Sequence, residues 1–144
     1  MKFVKQTKFD DKGNCLGACI CSFLDFDIER FPQQLIDLNP KQWLNSVNNC
    51  WLEPNFGIKL LPIMGSSGPP DIDGCYIAVG ETERIQDVDH AVICYKGKLI
   101  WDPHPSNKGL NKDPKYYLIF YRDFYHDQYR YFGPTGTFIK STNK

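Results

Sequence analysis

Apolar positions recur at helical spacing in the first third of the chain and as short strand-like runs in the rest. The clearest helical stretch is 13–24. Leu16, Cys19, Ile20, Phe23 and Leu24 fall on one stripe, which predicts a helix with one buried face. Asn14 is a favoured N-cap residue, and Gly13 lets the chain turn sharply before it. Upstream, residues 2–8 read as an extended lead-in, and Asp10-Asp11-Lys12-Gly13 as a turn. The helix is expected to end near Asp25. Asp27 then caps a short turn through Arg30 that closes at Phe31-Pro32. Asn39-Pro40 is a good start for a second long helix over 40–52, with Trp43, Leu44, Val47 and Trp51 inside and Pro54 as its stop.

Strand patterns follow at 58–63, 75–79, 91–95, 99–101 and 116–121, with a weak one at 137–139. Gly65-Ser66-Ser67-Gly68-Pro69-Pro70 is loop chemistry, and 81–89 is a polar loop. Helices first and strands after is the pattern of an α+β fold with an antiparallel sheet, here one domain over 1–144.

Composition narrows the function classes. The 17 basic and 17 acidic residues cancel, which argues against a partner held by bulk charge, so no nucleic acid is expected. No apolar run is long enough for a membrane span, and the first residues lack the apolar core of a secretion signal. The expected compartment is the cytoplasm, where the six cysteines stay reduced. No C-x-x-C pair occurs, so neither a structural zinc nor another cofactor is expected.

The candidate chemistry starts at Cys15. It opens the predicted helix, where the dipole and unpaired N–H groups favour a thiolate. Cys19 and Cys21 read as structural, Cys19 being on the apolar stripe. Further along, Asp89-His90-Ala91-Val92 opens a strand with a histidine, and Trp101-Asp102-Pro103-His104 closes the next with an aspartate. A three-residue hairpin loop, Tyr95-Lys96-Gly97, pairs Cys94 with Lys98, Val92 with Ile100 and His90 with Asp102. A two-residue loop would set His90 and Asp102 on opposite faces. The glycine favours the longer loop. A thiolate that attacks a carbonyl, an imidazole that shuttles the proton and a carboxylate that fixes the imidazole make one catalytic set.

Gln6 ahead of Gly13-Asn14-Cys15, then His90-Ala91-Val92 and Trp101-Asp102-Pro103, resembles the papain-like cysteine peptidase superfamily. Within it, the chain is similar to the small bacterial peptidases that trim double-glycine bacteriocin leaders. It also resembles small phage and bacterial proteins with an Asn-Cys helix start and a segment like Asp102-Pro103-His104-Pro105-Ser106. The resemblance covers about Gln6 to Leu110 and leaves 25–75 without an aligned motif. It implies a papain-like fold, a Cys15–His90–Asp102 triad and Gln6 as oxyanion donor. It also implies a protein or peptide substrate, in a host cytoplasm if the phage likeness holds. The leader peptidases carry Asp-Cys-Gly where this chain has Asn14-Cys15-Leu16, a departure that leaves the specificity open.

Asn14, His104 and Trp101 are the candidate substrate contacts, core packing being the plainer reading for Trp101. The loops at 65–74 and 81–89 are expected to flank the site. Hydrolysis of a peptide or isopeptide bond leads. Deamidation or transamidation, a catalytically idle binding or inhibitory protein of phage origin, and a metal-binding regulator using Cys15, His90 and His104 stay open beside it. The tyrosines at 116, 117, 121, 125, 129 and 131 suit core or interface equally, and His126 reads as a surface residue.

Overall fold

The computed structural model describes residues 1–9, 13–84, 88–124, 128–132 and 138–140, with side chains described through Arg122. The architecture is α+β. Helix α1 (Cys15–Leu24) is followed by a 3-10 turn at Ile28–Arg30 and one helical turn, α2 (Gln34–Asp37). A continuous helical path then runs from a 3-10 turn at Pro40–Gln42 through α3 (Trp43–Val47) and a π turn (Asn48–Leu52) to α4 (Glu53–Phe56). The strands are β1 (Lys59–Met64), β2 (Tyr76–Glu81), β3 (Asp89–Tyr95), β4 (Lys98–Trp101), β5 (Tyr116–Phe124), β6 (Gln128–Phe132) and β7 (Phe138–Lys140). They form one sheet in the order β4-β3-β2-β5-β6-β7, with β1 on β5, and every pairing is antiparallel.

Helix α1 is buried nearly all round. Gly17 to Phe23 are all covered, because the lead-in lies along one side and β3 along another. At Gly17, an added Cβ would come 2.8 Å from the Phe31 ring. The helix stops where Asp25 turns into the left-handed region at φ 51, and the Asp27 carboxylate caps the Glu29 N–H as expected. Strand β2 is buried on both faces. Ile77 and Val79 meet the helices, while Tyr76 and Ala78 belong to a second cluster with Val92, Tyr117 and Ile119. Pro62 is tolerated in β1 because that strand pairs only with β5.

The second helix departs from expectation. Pro54 does not end it; the chain stays helical through Phe56 and stops at Gly57, φ 67. Pro54 stands in the first turn of α4, where a missing N–H is tolerated. The π turn before it lets the Glu53 N–H reach back to Asn48 O. Asn48 is buried and acts as a strand mimic: Oδ1 accepts the Leu60 N–H at 2.7 Å, and Nδ2 donates to Leu60 O at 2.9 Å. The short helix α2 and strand β6 were not expected.

The tip of the β3–β4 hairpin also differs. Tyr95 pairs with Lys98, so the loop is the two-residue Lys96-Gly97, both with positive φ (47 and 81). Farther down, Ile93 pairs with Trp101 and Cys94 with Leu99, which leaves Ile100 as an extra residue in a bulge. The proposed turn at 10–12, the middle of the 81–89 loop, Tyr125, His126 and the chain end at 141–144 lie outside the described residues, as do the side chains of Tyr129 and Tyr131. No helix among the described residues is long and apolar enough to cross a membrane.

Candidate active site

The lead-in is fastened at four points, and this fixes the site. Lys2 N–H donates to Ser22 O, and Val4 N–H to Ser22 Oγ, which ties the segment to α1. Trp101 Nε1–H donates to Val4 O at 2.9 Å, and the Trp101 ring stacks on Phe3 at 5.1 Å. Gln6 N–H donates to Pro103 O at 3.1 Å. Trp101 is therefore a clamp for the lead-in, packed against the helix-side core. Expected as a substrate contact, it is not among the described residues that line the cavity at Cys15.

Asn14 does the same work from the other side. Its Oδ1 accepts the N–H groups of Thr7 and Lys8, each at 2.9 Å, and its Nδ2 donates to Thr7 Oγ1 at 2.9 Å. It stands at the N-cap position, but its side chain makes no capping hydrogen bond to α1. The buried amide is committed to the lead-in through three hydrogen bonds, so Asn14 positions Gln6 and Cys15. The first-turn N–H groups of α1 stay uncapped by it, at the helix end that carries Cys15.

Cys15, half-buried, opens onto a cavity of about 310 Å³ together with Gln6, His90 and His104. His90 Nε2 lies 2.7 Å from Asp102 Oδ1, with His90 only 4% and Asp102 2% exposed. With Nε2 on Asp102, the opposite ring nitrogen of His90 is the one left over, and Cys15 lines the same cavity. Asp102 is itself held: Oδ1 accepts the His104 N–H at 2.9 Å and Oδ2 the Gly109 N–H at 2.8 Å. Burial works against the charged form of His90, but hydrogen bonds to Asp102 and Cys15 outweigh it, so its pKa is raised above the ordinary 6.5. Burial pushes Asp102 upward, yet the His90 ring and the two backbone N–H groups win and hold it below the ordinary 3.8.

The bulge decides this contact. With the two-residue loop alone, Asp102 would be out of phase with His90. The extra residue at Ile100 shifts the register by one, and its continuation sets Asp102 beside Val92, one diagonal step from His90. The two side chains thus meet as expected, by a different backbone route.

Gln6 is 8% exposed and lines the same cavity. Its Nε2 donates one hydrogen to Lys8 O at 2.9 Å and has a second to offer, while Oε1 is buried without a partner. His104 stands on the rim, edge-on to His90 at 6.2 Å and to Phe9 at 5.5 Å. Of the two loops expected to flank the site, 81–89 contributes Thr82, Arg84, Val88 and Asp89. The 65–74 loop instead lines a separate cavity of about 490 Å³ with Tyr76, Cys94 and Tyr117. No histidine is among the described residues lining it beside Cys94, and burial pushes the Cys94 thiol up to about 12. Cys19 is fully buried and raised well above the usual thiol range by burial first, so it is structural. Cys15, Cys19, Cys21, Cys50 and Cys94 are free thiols, and no three metal-ligating side chains converge among the described residues.

Arg84, Ser106 and Gly109 are site residues that sequence reasoning passed over. Gly109 had a signal, since Asn107-Lys108-Gly109 is turn chemistry, and its φ of 68 suits glycine. Arg84 lies in a polar loop with no spacing rule to mark it, and Ser106 closes the segment from Asp102, which carried the resemblance without a role for the serine. No protein-family model, no curated protein and no solved structure matches this chain.

Proposed function

We propose that this chain is a thiol acyl-transfer enzyme of papain-like architecture that hydrolyses a peptide or isopeptide bond. The supporting observation is the line from buried Asp102 through His90 to Cys15, at the start of α1 and on the wall of a cavity. In this reading Asp102 holds Nε2, so His90 takes the thiol proton on its other nitrogen. The thiolate sulfur bonds to the carbonyl carbon, and the developing oxyanion takes donors from the Cys15 N–H and the second Nε2 hydrogen of Gln6. The C–N bond breaks as His90 returns its proton to the leaving nitrogen, leaving a thioester. Water then attacks, gives a proton to His90, and the C–S bond breaks to release the acid and the thiolate. With an amine in place of water, the same parts transfer the acyl group.

The test is the alkylation rate of each cysteine by iodoacetamide against pH, assigned by mass spectrometry. Cys15 is expected to react fastest of the six and to keep reacting below neutral pH, with that acid limb absent in His90→Ala. An ordinary thiol profile, unchanged by the substitution, overturns the triad.

A further inference from the structure

The cavity wall beyond the triad has its own hydrogen-bond chain. Arg84 Nη1 donates to Ser106 Oγ at 3.1 Å, and Ser106 Oγ lies 3.0 Å from His104 Nδ1. The Ser106 backbone N–H also points at Nδ1, at 3.0 Å. A backbone N–H can only donate, so Nδ1 must be an acceptor and neutral His104 carries its proton on Nε2. With Arg84 donating to Ser106 Oγ, the serine hydrogen is directed to Nδ1 as well. The ring is thus fixed in one tautomer, and an Nε2–H is the donor it has left. Burial, and then the Arg84 charge, keep His104 below its ordinary pKa, so it stays a neutral donor near neutrality.

The charges around the cavity are unequal. Arg84 is half-buried and makes no ion pair among the described residues. Asp89, the carboxylate on the described lining, is neutralised by Lys115 at 2.8 Å. A guanidinium with remaining donors and a fixed imidazole N–H therefore line the cavity wall next to Cys15, and among the described residues that line this cavity no unpaired carboxylate meets them.

We infer that Arg84 and His104, bridged by Ser106, form a carboxylate-recognition wall, so that the substrate of Cys15 carries a carboxylate beside the bond that is attacked. The inference rests on the proposed enzyme reading and deepens it into a substrate class. The carboxylate belongs either to an acidic side chain or to a free C-terminus, since both offer the planar pair of oxygens that a guanidinium takes.

Two thiol reagents test this without a known substrate. Iodoacetate and iodoacetamide alkylate Cys15 by the same displacement, in which sulfur bonds to the CH₂ and iodide leaves, and they differ only in the carboxylate. The ratio of their rate constants at Cys15 is expected to exceed that at exposed Cys50, and to fall about tenfold in Arg84→Gln, the order lost with one charge-assisted hydrogen bond. Arg84→Lys restores part of it, and Ser106→Ala lowers it. On the unaltered protein, N-acetylaspartic acid amide is expected to slow iodoacetamide labelling of Cys15 where N-acetylasparagine amide does not, if the side-chain carboxylate is the one recognised. N-acetylalanine against N-acetylalanine amide reads the C-terminal case. Equal ratios in wild type and Arg84→Gln, or equal protection by acid and amide in both pairs, overturns the wall. A His90→Ala variant that labels like wild type with iodoacetamide overturns the enzyme reading instead, whatever the carboxylate preference.

Discussion

Asp102 Oδ1 lies 2.7 Å from His90 Nε2 and accepts the His104 N–H at 2.9 Å, while Oδ2 accepts the Gly109 N–H at 2.8 Å. Both backbone partners can only donate, and the imidazole donates whenever Nε2 carries a proton. The buried carboxylate is therefore matched to its surroundings as an acceptor on both oxygens, and no isostere reproduces that.

Asp102→Asn puts an NH₂ group against at least one of those donors. It is expected to cost about 1–3 kcal/mol in stability, the penalty of a buried polar group left unpaired. His90 loses its counter-charge, so its pKa falls. The acid limb of Cys15 alkylation should move to higher pH and shrink, and turnover should drop by about a hundredfold or more, the range of a general base. Chemical denaturation and the alkylation profile check the two effects separately. A profile like that of wild type would remove Asp102 from the proton-transfer set.

Cys15→Ser should end turnover and leave the fold in place. Cys15 is half-buried at the helix start and serine nearly matches its size, so the stability change is expected to be about 1 kcal/mol or less. A serine hydroxyl does not ionise beside an imidazole as a thiol does. Thermal unfolding should overlay that of wild type. Undiminished activity in this variant would move the nucleophile elsewhere.

The His90–Asp102 pair makes stability depend on pH with a definite sign. His90 has a raised folded pKa, so its contribution is full below the ordinary 6.5 and fades as pH rises through the folded value. Asp102 has a lowered one, so its contribution is full above the ordinary 3.8 and fades as pH falls through its folded value. The stability difference between wild type and His90→Gln should therefore be largest at about pH 4–6.5 and shrink above neutrality. Denaturation midpoints of both proteins across pH 3–9 test this. A difference that grows toward alkaline pH would contradict the charged pair.

Asn14 has a role distinguishable from substrate binding. Asn14→Ala removes the acceptor for two lead-in N–H groups and the donor to Thr7. It should cost about 2 kcal/mol and lower kcat through a misplaced Gln6, with KM little altered. Asn14→Asp keeps the two-point acceptor and should recover most of the stability. A KM effect without a kcat effect would restore Asn14 as a substrate contact.

Local pattern carried much of the architecture. The stripe of Leu16, Cys19, Ile20 and Phe23 marked α1, and runs such as Ala91-Val92-Ile93 and Leu118-Ile119-Phe120 marked strands, because period and apolar continuity depend only on neighbours in the chain. Pro54 misled, because a proline stops a helix only where its N–H is needed; the π turn before it removed that need. β6 was missed although Gln128-Tyr129-Arg130-Tyr131 alternates polar and aromatic residues at strand period, because tyrosine suits core, interface and surface alike.

The residue types that can do thiol chemistry, and their order Gln6, Cys15, His90, Asp102, were set by the sequence alone. So was Cys15 at a helix start, since the apolar stripe that marks α1 depends only on neighbours in the chain. Their meeting was decided in three dimensions. The His90–Asp102 contact depends on a bulge at Ile100, which answers to Trp101 having to face the core while Asp102 faces His90. Gln6 reaches the cavity because Ser22, Asn14, Trp101 and Pro103, which come from separate parts of the chain, all bond to the lead-in. Arg84 became a site residue only when its loop folded beside His104. Spacing along the chain encodes phase on one helix or strand; it holds no information on which separate segments the core will press together.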